Sequence, residues 1–272
     1  MFFNKYVYSG IYINFKLMNK IFEDSERVSR EKDWHNKVFA KDKYVRADCG
    51  KYYAANDDAN TFYFTVIRSL LHKKKSIVLD YGCGDGHHLL QYSKYIEYGY
   101  GIDISDMRIA RARSLIEKDT INNIEVEVMD AMDTVFEDHK FDLIYGTAIL
   151  HHLDLNKSLR ELKRILKPDG NAIFMEPLGT NMLINLYRKL TPKARTIDEQ
   201  PFRKADIDLI LSYFPNSQFK YFSFLTLLAV PFRKSRFFKR LYMKLANWDS
   251  IVLDKNSPFK WWAWICIINL KK

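Results

Sequence analysis

Residues Val78–His88 read VLDYGCGDGHH, an apolar run that stops at a carboxylate and continues into three glycines, Gly82, Gly84 and Gly86. A short apolar run bounded by glycines predicts a buried strand. Glycines directly after a strand allow a tight turn and a close approach of the backbone to a ligand. The stretch therefore predicts the first strand of an open α/β sheet, with a ligand site at its carboxyl end.

Short apolar runs alternate with helical patterns after this turn. The runs are SIVLDYG, YGIDI, IEVEVMD, FDLIYG and NAIFME, and helices are predicted from about His87, Asp106 and Asn156. Such alternation is typical of βαβ units in a parallel sheet. Two later segments, QFKYFSF and WWAWICIINL, predict strands that close the sheet. We expect an α/β fold with a Rossmann-like, doubly wound, seven-stranded sheet, mostly parallel with an antiparallel final strand.

The remaining segments complete the predicted organisation. Residues 1–75 read as helices and loops, so an N-terminal helical cap or lid is expected before the main domain, 76–272. That domain includes a loop at 177–204, which we expect to shape a pocket, and a basic helix at 234–248. The chain has no run of 18 apolar residues, and its aromatic start lacks a cleavage site for secretion, so a cytoplasmic protein is the default expectation.

Charge and cysteine usage add further expectations. From Pro231 to Lys272 the chain has ten Lys and Arg residues against two Asp, so +8 of its net charge of +10 lies there. Helical spacing of Phe237, Leu241, Leu245 and Trp248 predicts a face that packs on the core; contact with an anionic membrane is the alternative. The three cysteines are scattered (Cys49, Cys83 and Cys266), so reduced thiols and no metal site are expected.

Several classes of ligand bind at glycine-rich turns, and other features of the sequence favour one of them. A triphosphate loop would need Lys-Ser or Lys-Thr after the last glycine, and the dinucleotide fingerprint GxGxxG is replaced by GxGxG. Three carboxylates, Asp80, Asp103 and Asp130, stand at the ends of three successive predicted strands. They suit a cofactor that is cationic at one end and carries a ribose and an adenine. S-adenosylmethionine has this composition.

Five motifs in order carry a family resemblance. VLDYGCGDG, YGIDIS, VMDA, FDLIYGTAILHHL and LKRILKPDGNAIFMEP resemble the motif series of class I S-adenosylmethionine-dependent methyltransferases, over Ser76 to about Pro177. The resemblance implies that the glycine turn approaches the methionine end, that Asp80 holds its ammonium group, that Asp103 binds the ribose and that Asp130 reads adenine. The full implied cofactor set is Asp80, Gly82, Cys83, Gly84, Asp103, Ile104, Asp130, Ala131 and Thr147.

Candidate catalytic groups follow the fourth strand. His151 and His152 are expected at the pocket mouth, where a histidine can act as a general base near neutral pH. TAILH is similar to the segment of phosphoethanolamine methyltransferases in which a histidine pairs with a tyrosine of an N-terminal cap. The matching residues are His151 and, in the cap, Tyr52 or Tyr53. The alternative is that the histidines only pack a loop.

The sequence leaves the acceptor open. The leading hypothesis is methyl transfer to O or N of a small-molecule, sugar or lipid-linked acceptor. A nucleic-acid methyltransferase is disfavoured, because GTAI stands where an Asn-Pro-Pro-Tyr type motif would handle base amino groups. A non-catalytic S-adenosylmethionine-binding regulatory protein is the third hypothesis. Glu176, which ends the fifth strand, could face the substrate or form an ion pair.

Overall fold

The structure is a computed structural model that describes residues 26–37, 39–40, 50–71, 76–191, 196, 198–254 and 256–272. The aromatic start of the chain and Cys49 lie outside these residues, as do parts of the predicted cap and of the loop at 177–204. Cys83 and Cys266 are both buried free thiols, as expected.

One seven-stranded sheet organises the described residues. Its strands are β1 Ile77–Tyr81, β2 Tyr98–Asp103, β3 Ile124–Val128, β4 Phe141–Thr147, β5 Leu166–Pro177, β6 Gln218–Phe222 and β7 Ile265–Lys271. They are arranged in the order β3-β2-β1-β4-β5-β7-β6. The first five pair in parallel, whereas β7 runs antiparallel to both β5 and β6. This confirms the predicted Rossmann-like sheet and its antiparallel final strand.

Helices cover both faces of the sheet. They are α1 at 26–37, α2 Gly50–Tyr53, α3 Asp57–Leu71, α4 His87–Tyr92, α5 Asp106–Lys118, α6 Leu155–Ile165, α7 Met182–Leu190, α8 Lys204–Tyr213 and α9 Phe238–Val252. One buried apolar cluster joins α3, α4 and α5 to the sheet, and a second joins α6 and α8 to it. The strand order reverses between β1 and β4, which therefore mark the switch point where ligands bind in such folds.

The predicted basic helix differs from the observed one in its limits and its orientation. Helix α9 begins at Phe238, so Lys234 and Arg236 lie in the turn before it. Its core-facing side holds Tyr242 and Asp249, whereas Phe237 and Trp248 of the predicted core face are 60% and 63% exposed. The physical reason is hydrogen bonding: the Asp249 carboxylate accepts from the amides of residues 224–226.

Helix α9 is fixed at a second point by a tyrosine. The Tyr242 hydroxyl donates to the Asp58 carboxylate over 2.6 Å and accepts from the Asp58 amide over 2.9 Å. These bonds connect α9 to the start of α3. Within the described ranges, no helix is both long and apolar enough to cross a membrane.

Candidate cofactor and active site

The glycine turn after β1 forms a backbone cradle. Gly82 and Gly84 have φ of +82° and +57°, values that side chains with a Cβ rarely adopt. A Cβ at Gly82 would lie 3.0 Å from the Ile149 side chain, and one at Gly84 would lie 3.0 Å from the Arg108 guanidinium. Both glycines line a cavity of about 280 Å³. Side chains at these two positions would press against Ile149 and Arg108, so glycine keeps the turn tight with its backbone against the cavity.

The cavity collects most of the predicted site residues. Those that line it are Tyr53, Gly82, Gly84, Asp103, Ile104, Asp130, Ala131, Thr147 and His152. Three predicted residues are not among its lining residues in the described part of the chain, namely Asp80, Cys83 and His151. The lining also includes apolar side chains that the sequence had not singled out: Val28, Ile102, Met129, Met132, Ile149 and Leu153.

Asp103 connects β2 to the glycine turn. Its carboxylate accepts the Gly84 amide over 2.9 Å and the Ser105 amide over 2.8 Å. Burial raises the pKa of Asp103, although these two amide hydrogen bonds oppose the shift. The side chain thus holds the turn and also faces the cavity, where it can accept further hydrogen bonds.

Asp80 is buried at the end of β1 and is only 5% exposed. Burial raises its pKa to about 8; the Tyr145 hydroxyl lowers it, and the charge of Asp103 raises it further. The pKa in the fold therefore exceeds the ordinary value of 3.8, so ionisation of Asp80 reduces the stability of the fold as pH rises through this window. A cation beside Asp80 would favour its ionised form.

This raised pKa gives a testable linkage. We predict that a ligand with an ammonium group, such as the S-adenosylmethionine that the sequence resemblance implies, releases a proton from Asp80 when it binds at pH 7, because the cation favours the carboxylate. Affinity should rise with pH between about 6 and 8 and then level off. Titration calorimetry in two buffers of different ionisation enthalpy measures the released protons. Asp80→Asn should abolish the linkage; equal binding enthalpies for the wild type in both buffers would show that Asp80 does not meet the cation.

Glu176 shapes the segment that follows β4. It is fully buried, and its carboxylate accepts the Ile149 amide over 3.0 Å, the Leu150 amide over 2.9 Å and His151 Nδ1–H over 2.7 Å. Just before this segment, Ala148 adopts a φ of +54°. Of the two alternatives that the sequence left open for Glu176, the structure shows the ion-pair contact, made with His151, and Glu176 is not among the lining residues of the cavity in the described part of the chain. Glu176 thereby fixes the turn that carries both histidines.

The two histidines have different environments. His151 is 4% exposed, and burial lowers its pKa, although the hydrogen bond with Glu176 opposes this. His152 lines the cavity, and its Nδ1 lies 3.3 Å from a carboxylate oxygen of Glu31 in helix α1. His152, rather than His151, is placed to meet a ligand in the cavity.

Helix α1 covers this part of the cavity. Arg27 donates a hydrogen bond to the His152 carbonyl, and Arg27, Glu31 and His35 all line the cavity. Glu31 is buried, and neither of its oxygens makes a hydrogen bond of good geometry in the described structure. Burial alone would raise the pKa of Glu31, but His152, Thr196 and His35 together lower it below its ordinary value.

Two sets of contacts hold α1 across the cavity. Arg30 forms a two-pronged ion pair with Asp198, at 3.0 and 2.9 Å. On the other side, Asn36 donates to the Asp106 carboxylate over 2.8 Å, and Lys32 lies 3.3 Å from it. These pairs could not be predicted from the sequence, because their members are distant in the chain and α1 has no motif of its own.

A polar cluster surrounds the histidine turn. His151, His152 and Glu199 each bring one potential metal-ligand atom within 4.8 Å of the others, which the sequence did not predict. Each of the three also has a partner in the protein. These partners are Glu176 for His151, Glu31 for His152 and Arg188 for Glu199. The arrangement is accounted for as a hydrogen-bonded and charged network that rigidifies the turn.

Comparison with known proteins agrees with this geometry. Residues 79–174 match the model of the family described as "Methyltransferase domain". An uncharacterised methyltransferase, YcgJ of Bacillus subtilis, is 32% identical over 100 residues, which cover 36% of this chain and 40% of that protein. The chloroplastic tocopherol O-methyltransferase of Arabidopsis thaliana is 34% identical over 106 residues, 38% of this chain and 30% of that protein. The chain thus spans less than half the length of these curated relatives.

Solved structures show the same fold over more of the chain. The crystal structure of YcgJ aligns with a TM-score of 0.52 and 16% identity, covering 78% of this chain and 99% of that one. Geranyl diphosphate C-methyltransferase from Streptomyces coelicolor aligns with a TM-score of 0.55 and 11% identity, covering 79% of each. The described sheet is Rossmann-like, with a glycine-lined cavity at its switch point. Residues 79–174 within it match a methyltransferase domain.

The residues present fit S-adenosylmethionine as the cofactor of this domain. Gly82 and Gly84 line the cavity with backbone alone, and Asp103 offers a cavity-lining carboxylate that can accept ribose hydroxyls. Asp130, Met129 and Leu153 also line the cavity, and a carboxylate with apolar neighbours suits an adenine. When bound, the cofactor supplies a methyl group on a positively charged sulfur.

Proposed function

We propose that this chain transfers a methyl group from S-adenosylmethionine to an oxygen or nitrogen of a small-molecule or lipid-linked acceptor, with His152 as the general base. The observation that carries this proposal is the contact between His152 and Glu31 inside the cavity, with a distance of 3.3 Å between Nδ1 and the carboxylate. The charge of Glu31 beside Nδ1 favours the tautomer that carries its proton there, by electrostatic attraction rather than by a hydrogen bond of good geometry. Nε2 is then available to accept a proton.

In this reaction the protein has two tasks: it positions the acceptor against the cofactor, and it removes a proton from the acceptor. S-adenosylmethionine, when bound, would supply the methyl group and its sulfur would keep the electron pair of the broken bond, so the protein would have to hold the acceptor in line and remove its proton. His152 Nε2 takes the proton that the acceptor hydroxyl or amine loses. Glu31 stabilises the imidazolium that results, which makes Glu31 a positioning residue.

The other residues of the site have supporting roles in this proposal. Tyr53 lines the same cavity and can orient a polar acceptor through its hydroxyl. Helix α1 lies over the site through Arg27 and Glu31, so it can keep water from the reacting groups. Glu176 and His151 hold the turn on which His152 stands.

The test is to incubate the purified chain with S-adenosylmethionine labelled in the methyl group and with fractions of a cell extract. Label in a small molecule or lipid that depends on the protein supports the proposal. Label recovered in nucleic acid would contradict the proposed acceptor and identify a nucleic-acid methyltransferase instead. Binding of the cofactor with no label in any fraction, under conditions where a known methyltransferase labels its substrate, would favour a regulatory protein. His152→Ala serves as the catalytic control in each fraction.

A further inference from the structure

Helix α7 turns an apolar face to the outside. Met182, Leu183, Leu186 and Leu190 are 57–73% exposed, and at about 100° per residue they fall within one arc of about 100°. The opposite side is anchored: Ile184 is buried, and the ring of Tyr187 packs 4.3 Å from that of Tyr52. The apolar face is therefore the outward side of a helix whose other side already packs against the protein.

The orientation of α7 is fixed by its first residues. The Asn181 carboxamide oxygen accepts the Ile184 amide over 3.0 Å, and the Asn185 side chain donates to the Gly179 carbonyl over 2.7 Å. Arg188 donates to the Leu178 carbonyl over 3.2 Å. Because these bonds hold the polar side of α7 inward, the four apolar side chains cannot turn to the core without breaking them.

More exposed apolar side chains adjoin α7. The side-chain NH₂ of Asn181 donates a hydrogen bond to the Trp262 carbonyl. The Trp262 ring is half-exposed and lies 5.8 Å from the Phe224 ring. Phe224 leads into the 3₁₀ helix Leu225–Phe232, which exposes Leu228 and Phe232. We call this surface the apolar rim; its members are Met182, Leu183, Leu186, Leu190, Leu228, Phe232 and Trp262.

The apolar rim adjoins the methyltransferase cavity through α2. Tyr52 of α2 packs on α7, and α2 also contacts the 3₁₀ helix of the rim. The next residue, Tyr53, lines the cavity and stacks 5.7 Å from the Trp264 ring. The short helix α2 therefore connects the rim to the cavity through Tyr52 and Tyr53.

Positive charge follows the rim directly. Residues 231–248 contain six Lys and Arg residues and no Asp or Glu. Phe237, directly before α9, and Arg240, Lys244, Trp248 and Ile251 within it recur at helical spacing, and all five are exposed. They lie on the side of α9 opposite Asp249, through which α9 binds the 3₁₀ helix of the rim. This set, the basic stripe, is therefore the outward side of a helix that packs beside the rim.

We propose that the apolar rim and the basic stripe together form a docking surface for an anionic lipid bilayer. The apolar side chains would enter the boundary between headgroups and acyl chains, and the Lys and Arg residues would contact lipid phosphates. Charge complementarity selects an anionic partner, and the aliphatic rim favours lipid over nucleic acid, whose backbone offers it no apolar contact. Access of the acceptor to the cavity from this surface rests on the proposed function. The docking of the surface on a bilayer does not.

The test is cosedimentation of the full chain with vesicles of phosphatidylcholine alone or mixed with phosphatidylglycerol, without cofactor or acceptor. Wild type should pellet with anionic vesicles and less so as salt rises. Leu186→Gln/Leu190→Gln and Arg240→Glu/Lys244→Glu should each weaken binding by about tenfold or more. Matched controls are Val135→Gln and Arg111→Glu/Lys118→Glu, which change exposed residues outside the rim and the stripe and should bind like wild type.

The outcomes separate this inference from the proposed function. Absence of wild-type binding to anionic vesicles at low salt would overturn it. The inference would also be overturned if the rim variants and the controls lost vesicle binding equally, or if the leucine variant bound like wild type. Binding would then be general electrostatic attraction. Calorimetry with S-adenosylmethionine should give the same affinity in all variants, so a failure to dock is not confused with a failure of the cofactor site.

Discussion

The His152→Ala variant should lose about 100-fold or more of its turnover while its affinity for S-adenosylmethionine changes little. His152 lines the cavity beside Glu31, and the proposed proton transfer ends on its ring. Removing the ring removes the base but leaves the glycine turn and Asp103 in place. Single-turnover measurements at saturating cofactor, with the acceptor found by labelling, give the rate; calorimetry gives the affinity.

Two further variants make this prediction specific. Glu31→Gln keeps the shape of the side chain and removes its charge, so turnover should fall by about tenfold with unchanged cofactor affinity. His151→Asn should chiefly lower the melting temperature, since it disturbs a buried hydrogen bond to Glu176. Loss of turnover in a fully stable His151→Asn, together with normal turnover in His152→Ala, would assign the base to His151.

The parallel sheet and its cofactor end follow from the sequence because their determinants are local. Apolar runs predict the strands, and glycines that need positive φ predict the turn at Gly82 and Gly84. Since the carboxyl ends of parallel strands meet at one edge, carboxylates that end successive strands converge there. Asp103 and Asp130 line one cavity for this reason.

The direction of a side chain within a turn is harder to predict from the sequence. His151 and His152 are adjacent in a 3₁₀ turn, where neighbouring side chains point differently, and only the tertiary bond to Glu176 decides which one is turned inward. The contact of His152 with Glu31 depends on how α1 packs over the site. No spacing in the sequence encodes such a long-range contact.

Helix α9 shows why periodicity alone can select the wrong face. Phe237 and Trp248 have helical spacing, and hydrophobicity would place them against the core. The observed inward face instead satisfies backbone amides through Asp249 and a carboxylate through Tyr242. Hydrogen bonds that a buried segment must make can thus outweigh the burial of two aromatic rings.

Asp103→Ala should weaken binding of S-adenosylmethionine and of its demethylated product by roughly 30- to 1,000-fold, or about 2–4 kcal/mol. The carboxylate is expected to accept two ribose hydroxyls. It also accepts the amides of Gly84 and Ser105, so its loss would loosen the glycine turn.

The control for this prediction is Asp119→Ala, which removes an exposed carboxylate at the end of α5 and should leave affinity unchanged. Asp103→Asn keeps an acceptor but loses the charge, so its affinity should fall between wild type and Asp103→Ala. Melting temperatures distinguish loss of the turn from loss of ribose contacts. A folded Asp103→Ala with wild-type affinity by calorimetry would remove the ribose assignment, because Asp103 is the carboxylate that binds the Gly84 and Ser105 amides in the described residues.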